Sequence, residues 1–357
     1  MNKPKVLLIQ ESLMNYRDPI YSLISKKVDL TVAYTIKADY TDSDYPIISL
    51  PYKKIGKIIW HIGLRKIINK YDVVIFVPHF KMIRLAMLPF LPHKPKLVTW
   101  SIGIHVSYNR EYNLSTFPSL SDKIYEYIQD HADACIFYMK APIEYWKKYN
   151  DIDERKYFVA HNTVKVDNCN PLLPICKRNT ILFVGTLYKQ KGIGELIEAY
   201  SKAYINDRNI LTLVIIGKGP EEDAILEQII ANGLQEKVKL VGAIYDEKEL
   251  SKYFHNARLC ISPKQAGLTV LKSLGYGVPF VTRSNAITGG EKSNILHNEN
   301  GLFYDSIKDL VEIINECSKN PARFDKMSIK AYEYYQTNAT PERMAKGVLD
   351  AIRYVLK

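Results

Sequence analysis

The sequence predicts an α/β fold built as two Rossmann-like domains in tandem. Three observations carry this. Apolar runs of strand length alternate with helical patterns along the chain, the signature of mainly parallel sheets. The alternation is interrupted once, by the aperiodic stretch "VDNCNPLLPICKRN" over 166–179. The 357 residues are enough to bury two cores.

In order, the first half offers the strands "KVLLI", "LTVAY", "DVVIFVP", "KLVTWSI", "ACIFYM" and "YFVAHN", with helical patterns over 121–131 and 141–149. The second half offers "TILFVGT", "LTLVIIGKG", "VKLVGA", "RLCISP", "PFVT" and "GLFY". Helices are expected to start near Gly194, Glu221 and Asp246, the last with a capping box to Glu249. A final helix has Thr340 as N-cap and Pro341 at its first position. The expected boundaries are 1–165 for the first domain, 166–178 for a linker, 179–338 for the second domain and 339–357 for the closing helix.

Composition narrows the class. Hydrophobic residues are 47% and charged residues 24%, ordinary globular usage. No apolar run reaches the roughly 18 residues of a membrane span. The N-terminal apolar stretch is short and is expected to be a strand rather than a signal peptide. Five scattered cysteines with no CxxC pair point to reduced thiols and the cytoplasm.

The net charge is +11 and uneven. Ten lysines and arginines fall between Lys53 and Lys96, against Asp72 alone. Aliphatic residues and Trp60 interleave with them, as in "KKIGKIIWHIGLRKIINK". Two readings stand level: a solvated helix face, or contact with an anionic membrane surface. No zinc, RNP-like or other nucleic-acid motif accompanies the run, so no nucleic-acid partner is expected.

Ligands of open parallel sheets sit at the carboxyl ends of strands. Three successive strand ends of the second half carry glycine and lysine together. They are "FVGTLYKQKGIGELIEAY" with Gly185, Thr186 and Lys191; "IIGKGPEE" with Gly217, Lys218 and Gly219; and "ISPKQAGLTVLKS" with Lys264, Gly267, Leu268, Thr269 and Lys272. Glycine lets backbone approach a phosphate, a helix N-terminus attracts it, and lysine adds charge. One such turn is weak, but three in one domain point to an anionic ligand such as a nucleotide diphosphate. There is no GxxxxGK[ST] P-loop, no HExxH and no GxSxG. "DSD" at 42–44 and "DID" at 151–153 are chance acidic pairs in polar loops, and no metal site is expected.

These stretches, with "VKLVGAIYDEKEL" and "SLGYGVPFVT", resemble the retaining glycosyltransferases of family four, of the GT-B fold, over about half the chain. In the first domain "NYRDPIY" resembles a start seen in bacterial surface-polysaccharide members, and "VAHNTV" the family's Asn-bearing loop. The resemblance implies two Rossmann-like domains facing across a cleft, with acceptor bound by the first, sugar nucleotide by the second, and the last helix crossing back. It implies no metal and no cofactor.

Three positions depart from the family pattern. Thr186 stands where an arginine is usual, and Lys264 and Lys272 stand where two glutamates touch donor sugar and ribose. The implied activity is transfer of a hexose, with retention, from a nucleotide-diphosphate sugar to a hydroxyl of a lipid-linked glycan at the inner face of the cell membrane. A UDP-sugar is the first choice and a GDP-sugar the next. Lys191 and the amides at Gly267–Thr269 would stabilise the leaving diphosphate. His105, after "KLVTWSIG", would be the acceptor-side catalytic group. Tyr16 and Arg17 would line the acceptor side, Arg17 holding an acceptor or donor phosphate or else forming a surface ion pair. The alternatives are a GT-B sugar-nucleotide epimerase, or a non-catalytic glycan- or membrane-binding relative.

Overall fold

The computed structural model describes residues 3–105, 114, 116–167 and 178–357. The chain forms two compact units, 1–164 with 340–357, and 165–339. The second unit begins at 165, so it takes in the stretch 166–178 that was expected to be a linker. Most of the expected linker lies outside the described residues.

Among its described residues the first unit has nine strands: β1 (Lys5–Leu13), β2 (Asp29–Ala38), β3 (Ile47–Ser49), β4 (Tyr52–Ile55), β5 (Ile58–His61), β6 (Val73–Phe76), β7 (Lys96–Ser101), β8 (Ala134–Phe137) and β9 (Tyr157–Val159). Its helices are α1 (Asp18–Ser25), α2 (Leu64–Ile68), α3 (Ile83–Ala86), α4 (Leu120–Asp130) and α5 (Ala141–Trp146). Seven strands make one parallel sheet in the order β3-β2-β1-β6-β7-β8-β9.

The second unit follows the same plan. It has β10 (Thr180–Val184), α6 (Ile193–Asn206), β11 (Thr212–Ile216), α7 (Glu222–Ala231), β12 (Val238–Gly242), α8 (Glu247–Asn256) and β13 (Ala257–Ile261). It continues with β14 (Gln265–Ala266), α9 (Thr269–Gly275), β15 (Phe280–Arg283), β16 (Ile287–Thr288), β17 (Gly301–Tyr304), α10 (Ile307–Lys319) and α11 (Pro321–Asn338). Its six-stranded parallel sheet runs β12-β11-β10-β13-β15-β17.

Strand period explains the layering. On β1, Val6 and Leu8 face a core shared with Ile20 and Ile24 of α1, while Leu7 and Ile9 face Leu64, Ile68 and Leu85 on the other side. A run apolar at every position is what a strand covered on both faces requires. The last helix, α12 (Pro341–Val355), belongs to the first unit. Thr340 caps it by accepting from the Arg343 N–H at 3.3 Å. Met344, Val348 and Ile352, a turn apart, bury its inner face in the first unit's core. Each such side chain contributes about 1.5–3 kcal/mol by leaving water.

Asp246 caps α8, accepting from the Glu249 N–H at 2.7 Å; that is the forward half of the box expected there. Cys135, Cys260 and Cys317 are free, buried thiols, and Cys169 and Cys176 lie outside the described residues. Among the described residues no helix is long and apolar enough to cross a membrane.

One expectation is corrected. The start of the basic run is not a helix face but an antiparallel hairpin, β4 against β5, with Ile55 opposite Ile58. The two-residue loop Gly56–Lys57 closes it, and Gly56 takes the left-handed φ of 60° that such loops require. Ile59 and His61 turn inward, leaving Trp60 and Ile58 half-exposed and Ile55 62% exposed among Lys53, Lys54 and Lys57.

Candidate active site

In the second unit the strand order reverses between β10 and β13, since β11 lies on one side of β10 and β13 on the other. The carboxyl end of such a switch point is where an open sheet leaves room for a ligand. The loops that meet there are Gly185–Gly192 after β10 and Ser262–Leu268 after β13.

The backbone joins these loops. The Lys264 N–H donates to the Lys191 carbonyl at 3.2 Å, and the Thr269 hydroxyl to the Val184 carbonyl at 3.4 Å. The Leu187 N–H donates to the Lys218 carbonyl, and the Gly217 N–H to the Gly242 carbonyl. Close approach is what Gly217 is for: a Cβ there would lie 1.9 Å from the Gly185 carbonyl oxygen. Gly267 differs, because nothing lies within 4 Å of where its Cβ would be. The protein's own packing does not demand glycine at that position.

Lys191 holds the centre. A Cβ built on Gly185 would lie 3.5 Å from the Lys191 ammonium, which is 5.8 Å from the centre of the Tyr188 ring. Burial pushes its pKa below the ordinary lysine value, a loss only partly offset by Cys260 and Glu291. Among the described residues no carboxylate lies within 4 Å of it. A partly desolvated cation at a switch point, with no carboxylate in direct contact among the described residues, is poised for an anionic ligand.

The two lysines at the family's glutamate positions are differently placed. Lys264 is exposed and 3.5 Å from a carboxylate oxygen of Glu195. Glu195 also accepts from Arg283 at 2.6 Å and from the Tyr304 hydroxyl at 2.8 Å. Lys272 lies one turn into α9, its N–H bonded to the Leu268 carbonyl at 3.1 Å, and its ammonium pairs with Glu247 at the start of α8. Both cations therefore have anionic partners within their own unit. Thr186 and Lys218 are exposed beside them. Sequence reasoning missed Glu195 and Glu247, which sit on helices far along the chain from their partners. The acidic first turns of α6 and α8 are the one trace of them.

In the first unit the order reverses between β1 and β6. Arg17 follows β1 and is buried, its guanidinium about 5–6 Å from the rings of Tyr16, Trp100 and Tyr138. It donates to the Met344 sulfur, and among the described residues no carboxylate lies within 4 Å of it. His105 lies beyond the carboxyl end of β7, its N–H on Asp122 and its ring 4.5 Å from that of Phe80. His79, after β6, was not foreseen. Burial lowers its pKa, with Glu11 opposing and Lys81 and His105 adding to the shift. The tripeptide "VPH" at the end of a predicted strand was the signal for it.

Two parallel sheets, each with its own switch point, are the architecture of the GT-B fold. Residues 171–334 match the family model for glycosyl transferases group 1. This matched segment, a little under half of the chain, is what the chain shares with that family.

A curated relative, the 2-deoxystreptamine N-acetyl-D-glucosaminyltransferase of Niallia circulans, is 28% identical over 41% of this chain. The match spans 39% of that enzyme's length. A solved glycosyltransferase of Rickettsia africae superposes with a TM-score of 0.73, at 16% identity, over all of both chains. The Anabaena protein HepE, solved in complex with UDP, superposes at 0.68 and 15% identity over 98% of this chain and 99% of its own.

Proposed function

We propose that this glycosyltransferase moves a hexose, with retention, from a nucleotide-diphosphate sugar to a hydroxyl of a lipid-linked glycan in surface-polysaccharide synthesis. A UDP-sugar is the donor of first choice and a GDP-sugar the next. The observation that carries the reading is Lys191: a half-buried ammonium, with no carboxylate within 4 Å among the described residues, where the loops after β10 and β13 meet. The chemical problem is departure of a nucleotide diphosphate from an oxocarbenium-like sugar, and a fixed, poorly solvated cation meets the charge as it develops. The Gly267–Thr269 backbone, with open space above Gly267, lets the diphosphate come close. Lys272, in its pair with Glu247, offers a donor and an acceptor side by side to the ribose hydroxyls. Lys264 adds positive charge at the rim. The reading gives no part to a metal.

On the acceptor side, Arg17 would bind a phosphate and His105 would hold the attacking hydroxyl. The β4–β5 hairpin, with Trp60 and Ile55 exposed between lysines, would rest the enzyme on the anionic inner face of the cell membrane. UDP in the HepE structure supports the nucleotide choice.

A thermal-shift panel of UDP-, GDP-, ADP- and CMP-sugars tests the donor. A ligand at a hundred times its Kd adds about 2.7 kcal/mol of stability. The UDP-sugars should give the largest rise in Tm, and a panel with no rise for any nucleotide sugar would overturn the reading.

A further inference from the structure

A second concave surface lies wholly within the first unit. It is a groove of about 480 Å³ between two short helical walls. Ile83, Met87 and Phe90 form one wall, and Ile124, Tyr127 and Ile128 of α4 the other. Phe80 also lines it, and the Phe80 ring is the one that lies against His105. Met87, Phe90, Ile124 and Tyr127 are all more than two-fifths exposed, an unusual cost for a surface with nothing to do.

Exposed lysines neighbour the lining residues along the chain. Lys81 precedes the first wall, Lys94 follows it, and Lys123 stands beside Ile124; all three are exposed. Among the described residues none of them lies within 4 Å of a carboxylate. The acids of α4 do not offset them: Asp122 and Glu126 are buried, and Asp130 lies 3.8 Å from Lys156. An apolar floor whose lining residues neighbour exposed lysines is complementary to an amphiphile that has a hydrocarbon chain and an anionic head. Because Phe80 both lines the groove and packs on His105, the groove adjoins the place where the acceptor hydroxyl is expected.

We propose that this groove takes the hydrocarbon chain of the lipid that carries the acceptor, with the lipid phosphate on these lysines. The proposal rests on the acceptor reading above and not on the donor reading.

The test uses the full-length protein and alkyl phosphates from butyl to dodecyl, titrated calorimetrically below their micelle concentrations. Affinity should rise about fourfold per added CH2, the fold-change that corresponds to about 0.8 kcal/mol, until the groove is full. Ile124→Asp and Tyr127→Asp sit at exposed positions and should leave Tm and the UDP-sugar thermal shift unchanged. They should abolish the chain-length dependence and leave butyl phosphate binding as it was. Equal chain-length dependence in wild type and variants, or no dodecyl phosphate binding at all, would overturn the proposal.

Two further outcomes would reassign the groove. Loss of phosphatidylglycerol-vesicle binding in the variants with intact dodecyl phosphate binding would make it a bilayer contact. A dimer in sedimentation that Ile124→Asp dissociates would give it to a second copy of the chain. In every case a retained UDP-sugar shift shows that the donor reading survives.

Discussion

The N–H of Lys264 donates to the carbonyl of Lys191 across 3.2 Å, which ties the loop after β13 to the loop after β10. Residues 73 positions apart are thus fixed at one switch point. This bond joins the two loops of the proposed donor site, and the predictions about that site depend on it.

Two glycines of this site should respond in opposite ways. Gly217→Ala would press a methyl against the Gly185 carbonyl, so strain on the order of 1–3 kcal/mol should lower Tm. Gly267→Ala meets nothing of the protein, so Tm should hold while donor affinity falls. Calorimetric titration with UDP beside a melting curve separates them. An alanine at Gly267 that binds UDP as well as wild type would remove that backbone from the diphosphate.

The pair Lys272–Glu247 should behave as a charge couple. Lys272→Glu would set two carboxylates together and weaken donor binding more than Lys272→Met does. Glu247 is nearly half exposed, so the effect on stability is on the order of 0.5–1 kcal/mol. The reversed pair, Lys272→Glu with Glu247→Lys, should regain the lost Tm. A double variant no more stable than Lys272→Glu alone would show that the two side chains are not coupled.

Much of the fold was legible because its signals are local. The strands of the second unit appear as apolar runs that stop at glycine, and the cap of α12 is written in Thr340 and Pro341. The glycine–lysine turns could be found for the same reason, since each lies within a few residues of its strand. The hairpin was missed because "KKIGKIIWH" satisfies both a helical and a two-residue period. Only the positive φ of Gly56, paired across β4 and β5, decides between them. The partners of Lys264 and Lys272 could not be found from spacing at all. Glu195, Arg283 and Tyr304 converge from three separate elements, and nothing local in the sequence records that meeting.

The hairpin should bind anionic vesicles in a salt-dependent way. Lys53, Lys54 and Lys57 can each contribute about 1 kcal/mol near such a surface, and salt screens them. Sedimentation with phosphatidylglycerol vesicles should show binding that falls with added salt and with Lys→Glu changes at the three positions. Equal binding to neutral and anionic vesicles would reject the assignment.

His61 makes the hairpin's anchorage acid-sensitive. It is fully buried against the Thr35 hydroxyl, and burial, with the nearby Arg84, pushes its pKa down from 6.5 to about 4. The folded state thus favours the neutral ring. Its contribution is whole above pH 6.5 and is lost as pH falls toward 4, on the order of 2–3 kcal/mol in all. His61→Gln should flatten the fall of Tm over that window. An unchanged slope would show that His61 does not titrate with unfolding.

Lys191 carries the central claim, and its binding of the donor diphosphate can be measured directly. Titrating UDP into folded Lys191→Met should show a loss on the order of 1.5–3 kcal/mol, a factor of about ten to a hundred in Kd. Lys191→Arg should retain more of the affinity. Because burial lowers the lysine's pKa, wild-type affinity should begin to fall at a pH below the usual lysine range, while the arginine variant stays level. UDP affinity and turnover equal to wild type in a folded Lys191→Met protein would contradict the account.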